Sequence, residues 1–438
     1  MKLHVRIALG MAMMATVTAC NKSNDVRPSG PKVHAAKPEQ TIAMGQSLEL
    51  KPDFTQESGI TFKWTVNNEP AGTEPSYTFK PGKLGDYKIT FTASTTHGKD
   101  SAVYRINVLG QYANGFYVLN EGWFGTETGS VFFYTYGADT LLPWVYHAVN
   151  PGKDLGGTMN TLQYGAIHNG KLYMVVKTGG PLVVTDASTL VETGRVNNVV
   201  SGKGMSFTGL DATRGLIGAD DGIYPINLTT LAIGAKITGV TGATGNMVKA
   251  GNYVFAHNQT SGMVVINATT YAVAGNPFKA TVGFVQGKDG RIYGAKDSLL
   301  MSAHPTTLAI DSVKMPFKVV SPFGAWRSVQ MAASTINNHI FIAQPGAGWA
   351  YGTRLYRYTI GTAASLANPF ITLPAGQYFY GSGVNYDHHT DELVITTIDG
   401  PFSGNVNRVL FYNAQTGALK KTVTYNGWYF PAMTVMQP

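Results

Sequence analysis

Cysteine is almost missing from this 438-residue chain: Cys20 is the only one, so no internal disulfide can form. Charge is sparse, at 13% of residues. The net charge of +8 is scattered as single residues without a basic face, which argues against nucleic acid as a partner. Long apolar runs are missing as well, since the stretch Ile7 to Val17 is too short to span a bilayer as a mature helix. Catalytic signatures are equally scarce. The chain has no His-Glu-x-x-His zinc motif, Gly-x-Ser-x-Gly elbow, Walker loop or sialidase-type Asp box, and the reading requires no cofactor and no metal. What is plentiful is glycine, 51 residues, and aromatic side chains, 11%, the balance expected of an all-β repeat protein.

A five-residue turn recurs: Asp186-Ala187-Ser188-Thr189-Leu190, Asn227-Leu228-Thr229-Thr230-Leu231, Asn267-Ala268-Thr269-Thr270-Tyr271, His304-Pro305-Thr306-Thr307-Leu308 and Asn413-Ala414-Gln415-Thr416-Gly417. An Asp or Asn at its head can bond the backbone two residues on and so start a tight reversal between antiparallel strands. The first four copies are spaced by 41, 40 and 37 residues, the length of a four-stranded propeller blade. Weaker equivalents at Tyr136-Gly137-Ala138 and Thr359-Ile360-Gly361 bring the count to seven. A second unit, strand-turn-strand, recurs around Asn169-Gly170, Arg214-Gly215, Ala250-Gly251 and Asp289-Gly290. The first blade lacks its innermost strand and starts at Gly115 to Asn120, whereas Trp428 to Val435 at the far end reads as an innermost strand with nothing after it. Pairing the two would close the ring and remove an open sheet edge. The expectation is a seven-bladed β-propeller over residues 111–438.

Ahead of the ring, residues 36–110 alternate in the manner of strands with one face buried: Ser47 to Leu50, Thr61 to Val66, Tyr77 to Phe79, Tyr87 to Ala93 and Ala102 to Val108. Trp64 and the Leu84-Gly85-Asp86-Tyr87 corner resemble the Ig-like PKD family, which implies a small β-sandwich acting as a spacer. At the N-terminus, Lys2 and Arg6 precede the apolar stretch, which reads as a signal-peptide core over residues 1–19. The segment Val17-Thr18-Ala19-Cys20 resembles the lipobox of bacterial lipoproteins. That resemblance implies lipidation of Cys20 and anchoring in the outer membrane, with residues 20–35 as a polar tether.

Candidate chemistry gathers in loops that a propeller places on one face. Loops between second and third strands are long and aromatic in three consecutive blades: Glu121-Gly122-Trp123-Phe124-Gly125, Gly346 to Thr353 with Trp349 and Tyr351, and Asp399-Gly400-Pro401-Phe402-Ser403. Loops leading into the innermost strands repeat Gly-x-aromatic in the same sector: Gly324-Ala325-Trp326, Gly376-Gln377-Tyr378 and Gly427-Trp428-Tyr429. Aromatics in long glycine-rich loops have little core to fill, so the sector reads as a ligand-binding face. Trp123, Phe124, Trp326, Trp349, Tyr351, Tyr378, Phe402, Trp428 and Tyr429 would form apolar walls there. Asn120, Glu121 and Arg327 would supply polar contacts. Glu121 and Asp399 also form a conceivable carboxylate pair for a carbohydrate-active enzyme. Two other clusters read as hairpin turns: Asp220-Asp221-Gly222, and the metal-like His388-His389-Thr390-Asp391-Glu392 on the opposite rim.

The run Phe116-Tyr117-Val118-Leu119-Asn120-Glu121-Gly122-Trp123-Phe124-Gly125, followed by Gly129-Ser130-Val131-Phe132-Phe133-Tyr134, resembles the opening of the DUF5074 family, YncE-like or YVTN-like propeller lipoproteins of Bacteroidota. Within it the resemblance extends to the BtuG surface proteins, which capture cobalamin for a TonB-dependent outer-membrane transporter. It implies a non-enzymatic surface lipoprotein that binds a large nutrient, with cobalamin the first candidate and haem or a glycan the other ligands that stacking aromatics suit. A glycan-binding or adhesive lipoprotein is the second class of function.

Overall fold

The computed structural model describes residues 30–55, 58–319, 330–346, 352–400 and 403–438. Cys20, Trp326, Arg327, Trp349, Tyr351 and Phe402 lie outside the described residues. The chain divides into two compact units, one ending at Val108 and one spanning Leu109–Pro438.

In the first unit, a five-stranded sheet runs in the order Glu39–Ala43, Gly98–Leu109, Gly85–Thr95, Thr61–Val66 and Glu69–Gly72, and Leu48–Leu50 pairs separately with Tyr77–Phe79. Alternation along the strands sends Ile89, Phe91 and Ala93 inward with Tyr104, Ile106 and Val108 around Trp64, which is fully buried. Burying an indole leaves its N–H to be satisfied, and Trp64 Nε1 donates to Glu74 O at 2.8 Å. The Leu84-Gly85-Asp86-Tyr87 corner is fastened by the Tyr87 hydroxyl, which accepts from Lys83 N and donates to Lys83 O.

The second unit is a propeller-like succession of antiparallel sheets, or blades, in chain order. Its recurring turn works as its chemistry requires. In each copy the head side chain accepts from the backbone N–H groups two and three residues on: Asp186 from Ser188 and Thr189, Asn227 from Thr229 and Thr230, Asn267 from Thr269 and Thr270, Asn413 from Gln415 and Thr416. His304 does the same through Nδ1 at 3.2 Å. The fifth residue is left-handed in every copy, with φ of 61°, 58°, 61°, 59° and 73° at Leu190, Leu231, Tyr271, Leu308 and Gly417. Most residues tolerate that conformation poorly, so in each copy the two side-chain bonds and the closing i+4 backbone bond hold it in place. One expectation shifts: the reversal placed at Arg214-Gly215 lies at Leu210 to Thr213, where Asp211 accepts from Thr213 N and Arg214 N.

Neighbouring blades are packed by apolar side chains facing one another, as where Tyr173 stacks on Phe207 with centroids 4.1 Å apart. At Asp297 (φ 51°) the strand Ile292–Ala303 folds back, because Arg291 at one end reaches Ser302 at the other, Nε to Oγ 2.7 Å. Closure follows the expected route. Pro431–Met436 pairs antiparallel with Gly115–Asn120, putting Tyr117 opposite Val435 and Leu119 opposite Met433. The strand starts at Pro431 rather than Trp428, since Tyr429 and Phe430 carbonyls instead accept from Gly122 N and Glu121 N beyond the strand end. A parallel contact between Met433 and Ser382 merges this closing blade with the last one into a single eight-stranded sheet.

Candidate functional site

Glu121 leaves the strand Gly115–Asn120 just as it reaches the rim. Its neighbour Gly122 has φ 81° and stands where a Cβ would meet Thr128 O at 2.4 Å, so only glycine turns the chain here. The loop that follows is tied down: Thr126 N and Glu127 N donate to Trp123 O, and Gly125 N to Thr158 O. On this braced loop Trp123 stacks on Trp428, centroids 4.6 Å apart at 24°. Trp123 is 40% exposed, Phe124 50% and Met159, near Gly125, 57%, so a large apolar shelf faces solvent where core packing offers no reason for it.

Across Phe430 from Trp428 is a polar cluster drawn from three blades. Tyr380, on the innermost strand Tyr378–Asp387 of the last blade, donates to Glu121 Oε2 at 2.6 Å. Gln163, from the innermost strand Thr161–His168, also bonds the Glu121 carboxyl, and Lys177, at the end of Lys171–Lys177, lies within its electrostatic reach. Glu121 carries its carboxyl in the interior, and burial raises it above the ordinary carboxylate value against the pull of Tyr380, Gln163 and Lys177. Burial likewise brings the Lys177 ammonium down to about 7, with the Glu121 charge acting the other way. Both groups are thus driven toward their uncharged forms, which suits a floor able to donate to and accept from a polar ligand.

Several expected residues take other places. Asn120 was expected to contact ligand, but it is fully buried: its Oδ1 accepts from Tyr425 at 2.8 Å and its Nδ2 donates to Ser130 Oγ, so it braces the closing blade. Tyr429 packs edge-on against Phe132 and near Trp144, inside the same blade's core. Tyr378 is half-buried beside Tyr380, Ile398 and Phe430, at the edge of the shelf. Among the described residues the buried Asp399 Oδ1 has no hydrogen-bond partner, while the contacts of Glu121 go to Tyr380, Gln163 and Lys177. Asp220-Asp221 forms a hairpin turn, with Asp221 bonded to Lys203 and Tyr224. Lys177, Gln163 and Tyr380 escaped sequence reading. The available signal was Lys177 itself, a cation ending the apolar run Leu172 to Val176.

Residues 114–437 match the family described as a domain of unknown function, DUF5074. The chain belongs to the DUF5074 family. Residues 31–95 match a PKD-like domain, so this DUF5074 protein carries the sandwich ahead of its propeller. Among solved structures, a quinoprotein alcohol dehydrogenase-like protein of Bacteroides thetaiotaomicron VPI-5482 aligns with a TM-score of 0.61 at 20% identity, over 93% of this chain and 99% of that one. The likeness is one of fold. A weaker one, TM-score 0.45, reaches U3-55K at 10% identity over 64% of this chain and 85% of that chain. No curated protein matches the DUF5074 chain.

Proposed function

We propose that this DUF5074 protein is a non-enzymatic outer-membrane lipoprotein, anchored through Cys20, that captures a large nutrient ligand and delivers it to a TonB-dependent transporter. Its propeller has seven blades, the eight-stranded sheet counting as two. One observation carries the reading: a Trp123–Trp428 stack with Trp123 exposed, next to exposed Phe124 and Met159, adjoins through Phe430 the polar cluster of Glu121, Tyr380, Gln163 and Lys177. Apolar walls with a few convergent polar groups are the usual make-up of a small-molecule site. Cobalamin is the first candidate ligand, because the best-understood relatives within the DUF5074 family look like the cobalamin-capturing BtuG proteins.

Calorimetry of the soluble protein against cyanocobalamin, haem and a glycan panel tests this reading. Trp123→Ala and Trp428→Ala should each weaken the ligand that binds by about 2 kcal/mol, roughly thirtyfold, with Tm little changed. Glycan binding alone would replace nutrient capture with the adhesive reading. Unaltered affinity in both variants would return the two indoles to a purely structural role.

A further inference from the structure

At the other end of the strand Tyr378–Asp387, which runs beside Glu392 to Ile398 and so ends roughly 20 Å from Tyr378, the chain reverses through His388 and His389. Asp387 heads this turn as its counterparts head theirs. It is 1% exposed, its Oδ1 accepts from His389 N at 2.9 Å, and its Oδ2 accepts from the Thr390 hydroxyl. The histidines are not needed for that work. Corresponding reversals in other blades are made by Asn169-Gly170, by Leu210 to Thr213, by Gly251-Asn252 and by Asp289-Gly290, none of which contains an imidazole.

Here the two imidazoles and the carboxylate converge. Their ligand-type atoms all lie within 4.8 Å of one another, an arrangement met by no other group of three or more His, Cys, Asp or Glu among the described residues. His389 Nδ1 is 3.4 Å from Asp387 Oδ1, which matches the edge of a tetrahedron built from metal–ligand bonds of about 2.1 Å, roughly 3.4 Å. The His388 and His389 ring centroids are 3.9 Å apart with the planes tilted by 40°, and both are exposed, so small rotations bring the third donor in. Competing charges are already engaged: Glu392 pairs with Lys420, and Asp391 accepts from Tyr386 and Gln415. Asp387 keeps acceptor capacity for an ion beyond its two turn bonds and its bond from Tyr136.

We propose that Asp387, His388 and His389 form a binding site for a divalent first-row transition ion of the zinc class, with solvent completing its coordination. Two imidazoles and one carboxylate suit such ions, whereas calcium and magnesium take all-oxygen sets. The site lies on the closing seam. Tyr136, from the turn after Ser130–Thr135 in the closing blade, sits with its hydroxyl 3.4 Å from His389 Nδ1 and also bonds Asp387. A bound ion would take His389 Nδ1 away from Tyr136, whose hydroxyl keeps its bond to Asp387, and the native state would gain stability with ion concentration.

The test is zinc titration of the tag-free protein, monitored by calorimetry and by competition with a chromophoric chelator. One zinc per chain should bind with micromolar or tighter affinity, and zinc should raise Tm, while calcium and magnesium do neither. His388→Ala and His389→Ala should each weaken zinc by about tenfold or more. The double variant should lose the zinc-dependent rise in Tm while melting as the parent does without metal; because both rings are exposed, the variants keep their fold. Absence of zinc binding, binding of calcium with equal affinity, or parental affinity in the histidine variants would overturn the proposal. Trp123→Ala should bind zinc normally, which separates this site from the aromatic shelf.

Discussion

Lys177 ends an apolar strand with its amine buried near Glu121, and that burial gives the folded protein a pH dependence. The group holds its proton more weakly folded, at about 7, than at its ordinary value of 10.5. Between those values the unfolded chain binds a proton that the folded one releases, so stability should rise with pH across the window, at most on the order of 1 kcal/mol per pH unit. Below about 7 the contribution is level. Lys177→Met should flatten the slope of unfolding free energy from pH 7 to 10 in denaturant titrations; a slope as steep as the parent's would place the proton elsewhere. Glu121, with its carboxyl raised, acts in the opposite sense at lower pH. Of this cluster only Glu121 was legible in the sequence, through the Asn-Glu-Gly segment. Gln163 and Lys177 come from the next blade and meet Glu121 when the two blades pack, whereas Tyr380, from the last blade, meets it only when the ring closes. Asn120, next to Glu121, was misread for the reverse reason: the residue type suits a ligand contact, and nothing in the sequence shows that Tyr425 already occupies it.

At the scale of elements, the recurring turn and the closing strand work differently. Each turn is local, since its head side chain bonds backbone groups two and three residues away, and so its five copies could be read directly. Closure is not local: Pro431–Met436 meets Gly115–Asn120 some three hundred residues earlier. It could still be inferred, because each end of the repeat array lacked what the other supplied. Ala432, Thr434 and Val435 are buried in the closing blade. Deleting residues 431–438 should remove apolar side chains worth roughly 1.5 to 3 kcal/mol each and expose a sheet edge. The truncated protein should therefore melt far lower or aggregate in a thermal scan; a parental Tm would mean that the ring closes otherwise. The start of that strand escaped reading because Tyr429 and Phe430 continue the pairing through single backbone bonds from Gly122 and Glu121 rather than as regular ladder.

For the whole molecule, none of the helices among the described residues is long and apolar enough to cross a membrane. Attachment at the cell surface would rest on the acyl chains proposed for Cys20. Cys20→Ser should leave the protein unprocessed or soluble on fractionation, and membrane recovery equal to the parent's would remove the lipoprotein assignment. The sequence by itself determined what depends on short-range periodicity and local bonding: the all-β class, the turn repeat, the Trp64-centred sandwich and the membership in DUF5074. Only the tertiary structure decided which aromatics reach solvent, which are core, and which buried charges share a site. Exposure and burial depend on which strands become neighbours around the ring, and a periodic sequence gives every blade nearly the same local instructions.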